Sequence, residues 1–207
     1  MNSSTIAPHH PVRPHVMKVL GISGSLRQAS INSALLRAAQ QLAPPEIELA
    51  IFGGVGELPL FNPDLEAQLP APVLALHAAV AASDAIMLAS PEYAHGVTGA
   101  VKNTLDWLVS FEPFIGKHVA VLNASPRARH ADMALRETLT VMSAHIVDEA
   151  SITIALLGSS LGEAGMVADA PVSQAIRQSL LALLVAHTAY DEQESVASLA
   201  SQGSSLA

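Results

Sequence analysis

The sequence predicts an α/β fold, a three-layer α/β/α sandwich in which helices cover both faces of a five-stranded parallel sheet. Short apolar runs alternate with helical patterns about five times along the chain, as in successive β-α units. Half of the 207 residues are apolar but only 3% are aromatic. The core must therefore be built from Ala, Leu, Val and Ile, as in a helix-covered parallel sheet. The first apolar run also leads through a Gly- and Ser-rich loop into a helical pattern.

That first β-α unit is the most informative segment. An apolar run over residues 16–22 predicts a buried strand, and a helical pattern from about Ser33 ends at Pro44 and Pro45. The loop between them combines two glycines, one cation and four short polar side chains: Gly21, Gly24, Arg27, Ser23, Ser25, Ser30 and Asn32. Such a loop before a helix fits a terminal phosphate. Neither a G-x-G-x-x-G turn nor a Walker loop is present. A ligand-free helix cap is the alternative, but a cap needs only one such residue.

The remaining elements follow in alternation. Further strands are predicted over 47–52, 85–89 and 118–123, and a fifth over 146–156 that an interruption can divide. Further helices are predicted over 73–80, 101–108, 131–142 and 172–184. The connection over 53–72 is too rich in proline for regular structure and too apolar for a free linker, so we expect it to pack over the sheet edge or a neighbouring subunit.

Composition excludes several classes of function. The formal charge is −8 and there are only three lysines, so the chain offers no basic stripe to a nucleic acid. It has no cysteine, which excludes thiolate catalysis and thiolate metal sites, and any redox chemistry must use a cofactor. No stretch of about 18 apolar residues indicates a membrane span, and residues 1–15 lack the apolar segment of a secretion signal.

We therefore expect a cytoplasmic protein with one domain over residues 16–190. Residues 1–15 are predicted to be a disordered N-terminal arm, and 191–207 a disordered, low-complexity C-terminal tail. The arm contains His9, His10 and His15. We interpret them as part of a solvated arm rather than as metal ligands, and no metal site is expected elsewhere.

Loops follow the first, third and fourth strands at one edge of the predicted sheet. Ligands collect at the carboxyl ends of the strands in such sheets. The third strand leads into residues 90–99, and the fourth into residues 124–130, which contain Arg127, Arg129 and His130. One ligand that contacts all three loops is the simplest interpretation.

Two motifs in these loops resemble those of the NADPH-dependent FMN reductases, a family of flavodoxin-like fold that includes quinone, azo-dye and chromate reductases. The family pattern G-S-x-R-x-x-S-x-N is matched throughout residues 24–32. The second pattern, P-E-Y-N-x-x-x-P-G-x-L-K-N-x-x-D-W, is matched at Pro91, Glu92, Tyr93, Gly99, Lys102, Asn103, Asp106 and Trp107. The likeness covers about residues 17–157. It implies a flavodoxin-like sandwich with strand order 2-1-3-4-5.

The resemblance also implies which residues bind FMN. Ser25, Arg27, Ser30 and Asn32 would hold the phosphate, Pro91 to Tyr93 would pass along the edge of the isoalloxazine ring, and Ser125 would lie beside the flavin. The full set of expected cofactor-binding residues is Ser23, Ser25, Leu26, Arg27, Ser30, Asn32, Pro91, Glu92, Tyr93, Ala94, His95, Gly96 and Ser125. No catalytic side chain is expected, because flavin N5 would carry the hydride chemistry.

By this resemblance the protein is an FMN-dependent NAD(P)H oxidoreductase. NADPH would reduce FMN and leave. A quinone, flavin, azo compound or metal oxyanion would then bind where NADPH had been and be reduced, which gives ping-pong kinetics. A homodimer or homotetramer is expected, because the relatives build their sites at subunit boundaries. A flavodoxin-type electron carrier and a flavin-free regulatory protein are the alternatives.

The chain departs from the family pattern on the side of the substrate. Ala94 replaces the usual Asn, Thr98 replaces the usual Pro, and His95 stands beside Ala94. Arg127 and Arg129 occupy the third loop, where relatives have a pair of glycines; they fit an anionic substrate, the 2′-phosphate of NADPH or an ion pair.

Overall fold

A parallel five-stranded sheet forms the centre of the molecule. The computed structural model describes residues 16–204, with side chains as far as Tyr190, so the predicted arm over 1–15 and residues 205–207 lie outside it. The strands of the sheet are β1 (Met17–Ser23), β2 (Ile47–Ile51), β3 (Ala85–Ala89), β6 (His118–Leu122) and β7 (His145–Ile146), in the order β2-β1-β3-β6-β7. This is the predicted order 2-1-3-4-5. A separate antiparallel hairpin pairs β4 (Glu92–Tyr93) with β5 (Gly96–Val97).

Six helices cover the two faces of this sheet. They are α1 (Ile31–Leu42), α2 (Ala71–Ala81), α3 (Gly99–Asp106), α4 (Arg129–Val141), α5 (Glu163–Ala168) and α6 (Ala170–Ser204). One core joins α1, α5 and α6 to the sheet, and a second core on the other face contains α2, α3 and α4. Leu35 and Leu36 are fully buried in the first core, and Leu76 in the second. Burying each such side chain contributes about 1.5–3 kcal/mol. The predicted three-layer sandwich is confirmed.

The long connection over 53–72 is more regular than we predicted. It contains two 3₁₀ helices, Gly54–Glu57 and Pro63–Gln68, of which the second begins at a proline. Helix α3 anchors the stretch between them. Asn103 donates to the carbonyl of Pro59 (2.9 Å) and accepts from the amide of Phe61 (2.8 Å), while the buried Trp107 donates to the same carbonyl (2.8 Å). Two residues of the second motif therefore hold this connection against the protein.

The fifth strand is divided, as the sequence allowed, by a 3₁₀ helix at Asp148–Ala150, and it resumes as a single bridge between Asn123 and Thr153. The carboxyl-terminal third differs from the prediction in two respects. The short α5 was not predicted. The backbone of α6 is helical to Ser204, whereas we placed the end of the domain at residue 190. None of the described helices is long and apolar enough to cross a membrane.

Candidate active site

A cavity of about 370 Å³ opens at the carboxyl edge of the sheet. Its volume lies within the roughly 300–1,000 Å³ that is usual for small-molecule sites. The loops after β1, β3 and β6 and one residue beyond the fifth strand line it: Ser25, Arg27, Ala29, Ser30, Ile31, Asn32, Ser90, Pro91, Glu92, Tyr93, Asn123, Ala124, Ser125, Arg127, Ala128 and Leu157. All three loops that the sequence placed at this edge therefore meet in one cavity.

The first loop presents hydroxyl and amide groups at the start of α1. Ser30 is the N-cap of α1 and accepts a hydrogen bond from the amide of Ser33 (3.3 Å). Asn32 is 3% exposed, and its Oδ1 accepts no hydrogen bond from the described residues. A buried polar atom without a partner costs about 1–3 kcal/mol. The exposed Arg27 makes no ion pair with a described side chain. The loop thus has unused hydrogen-bonding capacity and one positive charge.

Gly24 brings the first and second loops into direct contact. Its amide donates to the carbonyl of Ala89 at the end of β3 (2.8 Å), and its carbonyl accepts from Thr98 Oγ1 (2.8 Å). A Cβ atom at this position would lie 2.4 Å from Ser90 Oγ and 2.6 Å from Val101 Cγ2. The amide of Val101 donates to the same Thr98 oxygen (3.3 Å), which caps α3. Thr98, which stands where the family pattern has Pro, therefore connects the first loop to α3.

The second loop contains the hairpin of β4 and β5, which was not predicted. Ala94 and His95 form its two-residue turn, with φ angles of +51° and +59°. Glycine and asparagine adopt this left-handed region readily, but alanine and histidine do so at a cost. Asn at position 94 in relatives suits that conformation for a reason of backbone geometry. Its replacement by Ala94 changes the turn energy as well as removing a polar side chain.

Glu92 connects the second loop to the third. One of its oxygens accepts from the amide of Ala131 in the first turn of α4 (2.9 Å), and the other accepts from Nδ1 of His95 (3.1 Å). The residue at the N-cap of α4, Ala128, has no capping side chain, so Glu92 supplies the cap from outside the helix. The amide of Ala131 lowers the pKa of Glu92, His95 lowers it further, and burial opposes them. Glu92 is therefore ionised at neutral pH.

The third loop is held rigid by the buried Asn123. The Oδ1 atom of Asn123 accepts from the amide of Ser125 (2.9 Å), and its Nδ2 donates to the carbonyl of Ala128 (3.1 Å). Ser125 Oγ in turn accepts from the amide of Arg127 (3.3 Å). The backbone on either side of Arg127 is thus fixed, and Arg127 lines the cavity.

Comparison with known proteins identifies the family. The family model described as NADPH-dependent FMN reductase matches residues 17–156. The chain belongs to this family. It is 37% identical over 175 residues to an NAD(P)H-dependent FMN reductase of Pseudomonas aeruginosa, which covers 81% of this chain and 93% of that protein. It is 35% identical over 136 residues to a quinone reductase of Pseudomonas putida, with 61% of this chain and 72% of that protein covered.

A solved structure supports the same assignment. FerB, a flavoenzyme NAD(P)H:(acceptor) oxidoreductase from Paracoccus denitrificans, has a TM-score of 0.71 and 27% identity to this chain, with 81% of this chain and 95% of FerB covered. The predicted family, the flavodoxin-like fold and the class of FMN- and NAD(P)H-dependent oxidoreductases are confirmed.

The predicted FMN residues of this FMN reductase family member separate into two groups. Those that line the cavity are Ser25, Arg27, Ser30, Asn32, Pro91, Glu92, Tyr93 and Ser125. Ser23 lies beneath the first loop and hydrogen-bonds Ser33 Oγ (2.7 Å), and Leu26 is 64% exposed beside Gly56. Ala94, His95 and Gly96 are at the tip of the hairpin, outside the lining. Ser23 was included for its polar side chain, and the other four lie within the two motifs.

Sequence reasoning did not predict several lining residues, among them Ser90, Asn123 and Leu157. Ser90 and Asn123 directly follow β3 and β6, and this position at a strand end was an available signal. Leu157 directly follows the predicted fifth strand over 146–156 and carried the same signal.

The residues present fit FMN. The tail of this mononucleotide carries a phosphate and ribityl hydroxyls. Groups that can bind them are the hydroxyls of the first loop, the unpaired Arg27 and the unpartnered Oδ1 of Asn32. Asn32 can accept from a ribityl hydroxyl, or donate to phosphate with its amide turned over. Pro91 and Tyr93 provide a less polar wall above this end of the cavity.

Proposed function

We propose that the protein is an FMN-dependent NADPH oxidoreductase whose cavity binds FMN with its phosphate at the first loop. The observation that carries this proposal is the combination, in one cavity, of an unpaired arginine, capping hydroxyls and a buried amide oxygen without a partner. FMN supplies the redox chemistry, because its N5 accepts a hydride from NAD(P)H and passes reducing equivalents to an acceptor. The acceptor would be a small molecule such as a quinone, flavin, azo compound or metal oxyanion.

The chain's own residues would position FMN and stabilise its charged groups. Arg27 would neutralise the phosphate, with Ser25, Ser30 and Asn32 donating or accepting hydrogen bonds around it. The backbone of Pro91 to Tyr93 would pass along the polar edge of the ring, and Ser125 would face it from the third loop. Glu92 acts indirectly, since both of its oxygens already bind Ala131 and His95. Its role in this proposal is to hold the hairpin against α4.

We further propose that NADPH and the acceptor use the same space in turn. The three loops enclose a single cavity of about 370 Å³, and the first loop would be filled by the FMN tail. Reduction and oxidation would then alternate in ping-pong order. A cytoplasmic location belongs to the same proposal, because NADPH is an intracellular reductant. Assembly into a homodimer or homotetramer is also part of this proposal.

A titration of the purified full chain with FMN, followed by anaerobic addition of NADPH, tests this proposal. We expect stoichiometric binding, bleaching of the yellow absorbance by NADPH, and parallel double-reciprocal plots when NADPH and a quinone are varied. Binding of FMN with negligible NADPH turnover would instead identify an electron carrier of the flavodoxin type. The absence of FMN binding would favour a flavin-free regulatory protein.

A further inference from the structure

Among the described residues, two arginines without an ion pair, Arg27 and Arg127, line the cavity, and a third, Arg129, follows two residues after Arg127. In the described range, Arg37 and Arg136 form ion pairs with carboxylates, and Arg177 donates to the carbonyl of Leu42. Arg27, Arg127 and Arg129 make no such side-chain contact with the described residues. The formal charge of the chain is −8, so acidic partners are abundant. Three guanidinium groups left free at one edge indicate recognition of anions at that edge.

These arginines lie on two sides of the cavity. Arg27 follows β1, whereas Arg127 follows β6, and β3 lies between those strands. Neighbouring strands are about 4.8 Å apart, so the two strand ends are separated by roughly 10 Å. One phosphate held in the Arg27 loop therefore leaves the other side of the cavity with unneutralised charge. Glu92 is the only carboxylate in the described lining, and each of its oxygens already accepts one hydrogen bond, from Ala131 or His95.

The loop that carries Arg127 has the rigidity of a binding site. Asn123 fixes it from below through Ser125 and Ala128, and the amide of Ala128 also donates to the carbonyl of Ser125 (3.0 Å). Arg127 stands at the centre of this turn, and Arg129 begins α4 two residues later. A fixed backbone lowers the entropy that a side chain loses on binding.

We propose that Arg127, supported by Arg129, is a specificity-determining residue that binds a phosphate-type anion on the second ligand. This inference rests on the proposed function, since it assumes that FMN fills the Arg27 side. The anion is either the 2′-phosphate of NADPH or an anionic group of the acceptor. The two sources share the same chemistry, a compact oxyanion that takes two parallel hydrogen bonds from one guanidinium.

The first test measures binding without turnover. FMN-loaded protein is titrated calorimetrically with adenosine 2′,5′-bisphosphate and with AMP, for wild type, Arg127→Ala, Arg127→Lys and Arg129→Ala. If the anion is the 2′-phosphate, Arg127→Ala is expected to weaken bisphosphate binding about tenfold and AMP binding less than about twofold, as for loss of one charge-assisted contact; if it is an acceptor group, both change less than about twofold and the acceptor kinetics below must separate. Arg127→Lys should give an intermediate loss. Arg136→Ala is the matched control, because it removes one arginine charge from the nearby α4 at a residue outside the lining.

Steady-state kinetics of the same variants distinguish the two possible sources of the anion, NADPH and the acceptor. A rise in KM for NADPH but not for NADH identifies the 2′-phosphate. A rise in KM for 1,4-naphthoquinone-2-sulfonate but not for 1,4-naphthoquinone identifies an anionic acceptor. The proposal is overturned if neither pair separates in Arg127→Ala and Arg129→Ala, if Arg136→Ala behaves like Arg127→Ala, or if Arg127→Ala loses FMN as Arg27→Ala is expected to do. A wild-type protein that does not bind FMN would instead remove the proposed function itself, and this inference with it.

Discussion

Gly24 is the single residue on which the contact between the first two loops depends. A methyl group there would overlap Ser90 and the buried Val101, both closer than 3.0 Å to the added atom. We predict that Gly24→Ala lowers the free energy of unfolding by roughly 1–3 kcal/mol, the usual cost of overpacking, and weakens FMN binding. Gly53→Ala is the control, because a Cβ at Gly53 would meet nothing within 4 Å. Urea unfolding measures both variants. Equal stability of the two would contradict the close approach.

Arg27 should determine FMN affinity without affecting the fold. It is exposed, lines the cavity and makes no ion pair with a described side chain. We predict that Arg27→Ala weakens FMN binding by about 1.5–3 kcal/mol, the range for a charged hydrogen bond, with unchanged urea unfolding of the flavin-free protein. Arg37→Ala, a paired arginine of α1, should change FMN affinity by less than about twofold. Fluorescence titration measures both. FMN affinity in Arg27→Ala equal to that of wild type would remove the phosphate assignment.

Single residues of the site were predictable where they belong to a contiguous motif and less so elsewhere. Ser25, Arg27, Ser30 and Asn32 could be identified from one loop of the sequence, and all of them line the cavity. Asn123 and Leu157 belong to no contiguous motif, and only their positions at the ends of the predicted fourth and fifth strands pointed to them. The effect of Ala94 was also hidden, since the positive φ of a turn becomes visible only in the folded hairpin. Whether these residues contact FMN stays a prediction.

Helix α4 depends for its capping on another element. Its N-cap, Ala128, has no polar side chain, and the carboxylate of Glu92 in β4 binds the amide of Ala131 instead. A negative charge at this position also interacts favourably with the helix dipole. The hairpin and α4 should therefore lose stability together when that charge is removed.

The pH dependence of Glu92→Gln tests this coupling. The amide of Ala131 and His95 hold the pKa of folded Glu92 below its ordinary value of 4.5. Its charge therefore contributes to stability above that pH, and the contribution is lost as the pH falls through the folded pKa. We predict that wild type is more stable than Glu92→Gln at pH 7 and that the difference shrinks between about pH 5 and 3. Glu48→Gln, at an exposed position on β2, should show no such change. A difference that grows on acidification would contradict the cap.

Helices and strands were predicted well where the sequence has a clear apolar pattern, whether periodic or a continuous run. The strand Ala85–Ala89 has only buried side chains and matches its prediction at both ends. The hairpin of β4 and β5 was missed because its turn, Ala94 and His95, lacks the Asn or Gly that signals such turns. Helix α5 was missed because it spans only six residues, too few to show a helical period. Short elements are fixed by tertiary contacts, which the local sequence does not reveal.

At the scale of the whole molecule, several exposed apolar side chains lie on the layer that contains α2 and α3. Leu60 of the long connection is 83% exposed, Val109 63%, Ile115 61% and Leu74 on α2 53%. The connection itself is anchored by Asn103 and Trp107, so Leu60 is presented from a fixed backbone. Apolar groups displayed on a rigid surface are typical of association between subunits.

We therefore predict that the protein forms a homodimer or homotetramer through this layer. Sedimentation velocity at micromolar concentration should show no major monomer population for wild type. Leu60→Glu should shift the distribution towards monomer, because assembly would bury an unpaired charge. Val185→Glu is the matched control, since Val185 is 67% exposed on α6 in the opposite layer. A monomeric wild type would contradict the predicted assembly, and dissociation by Val185→Glu alone would move the interface to the other face of the sheet.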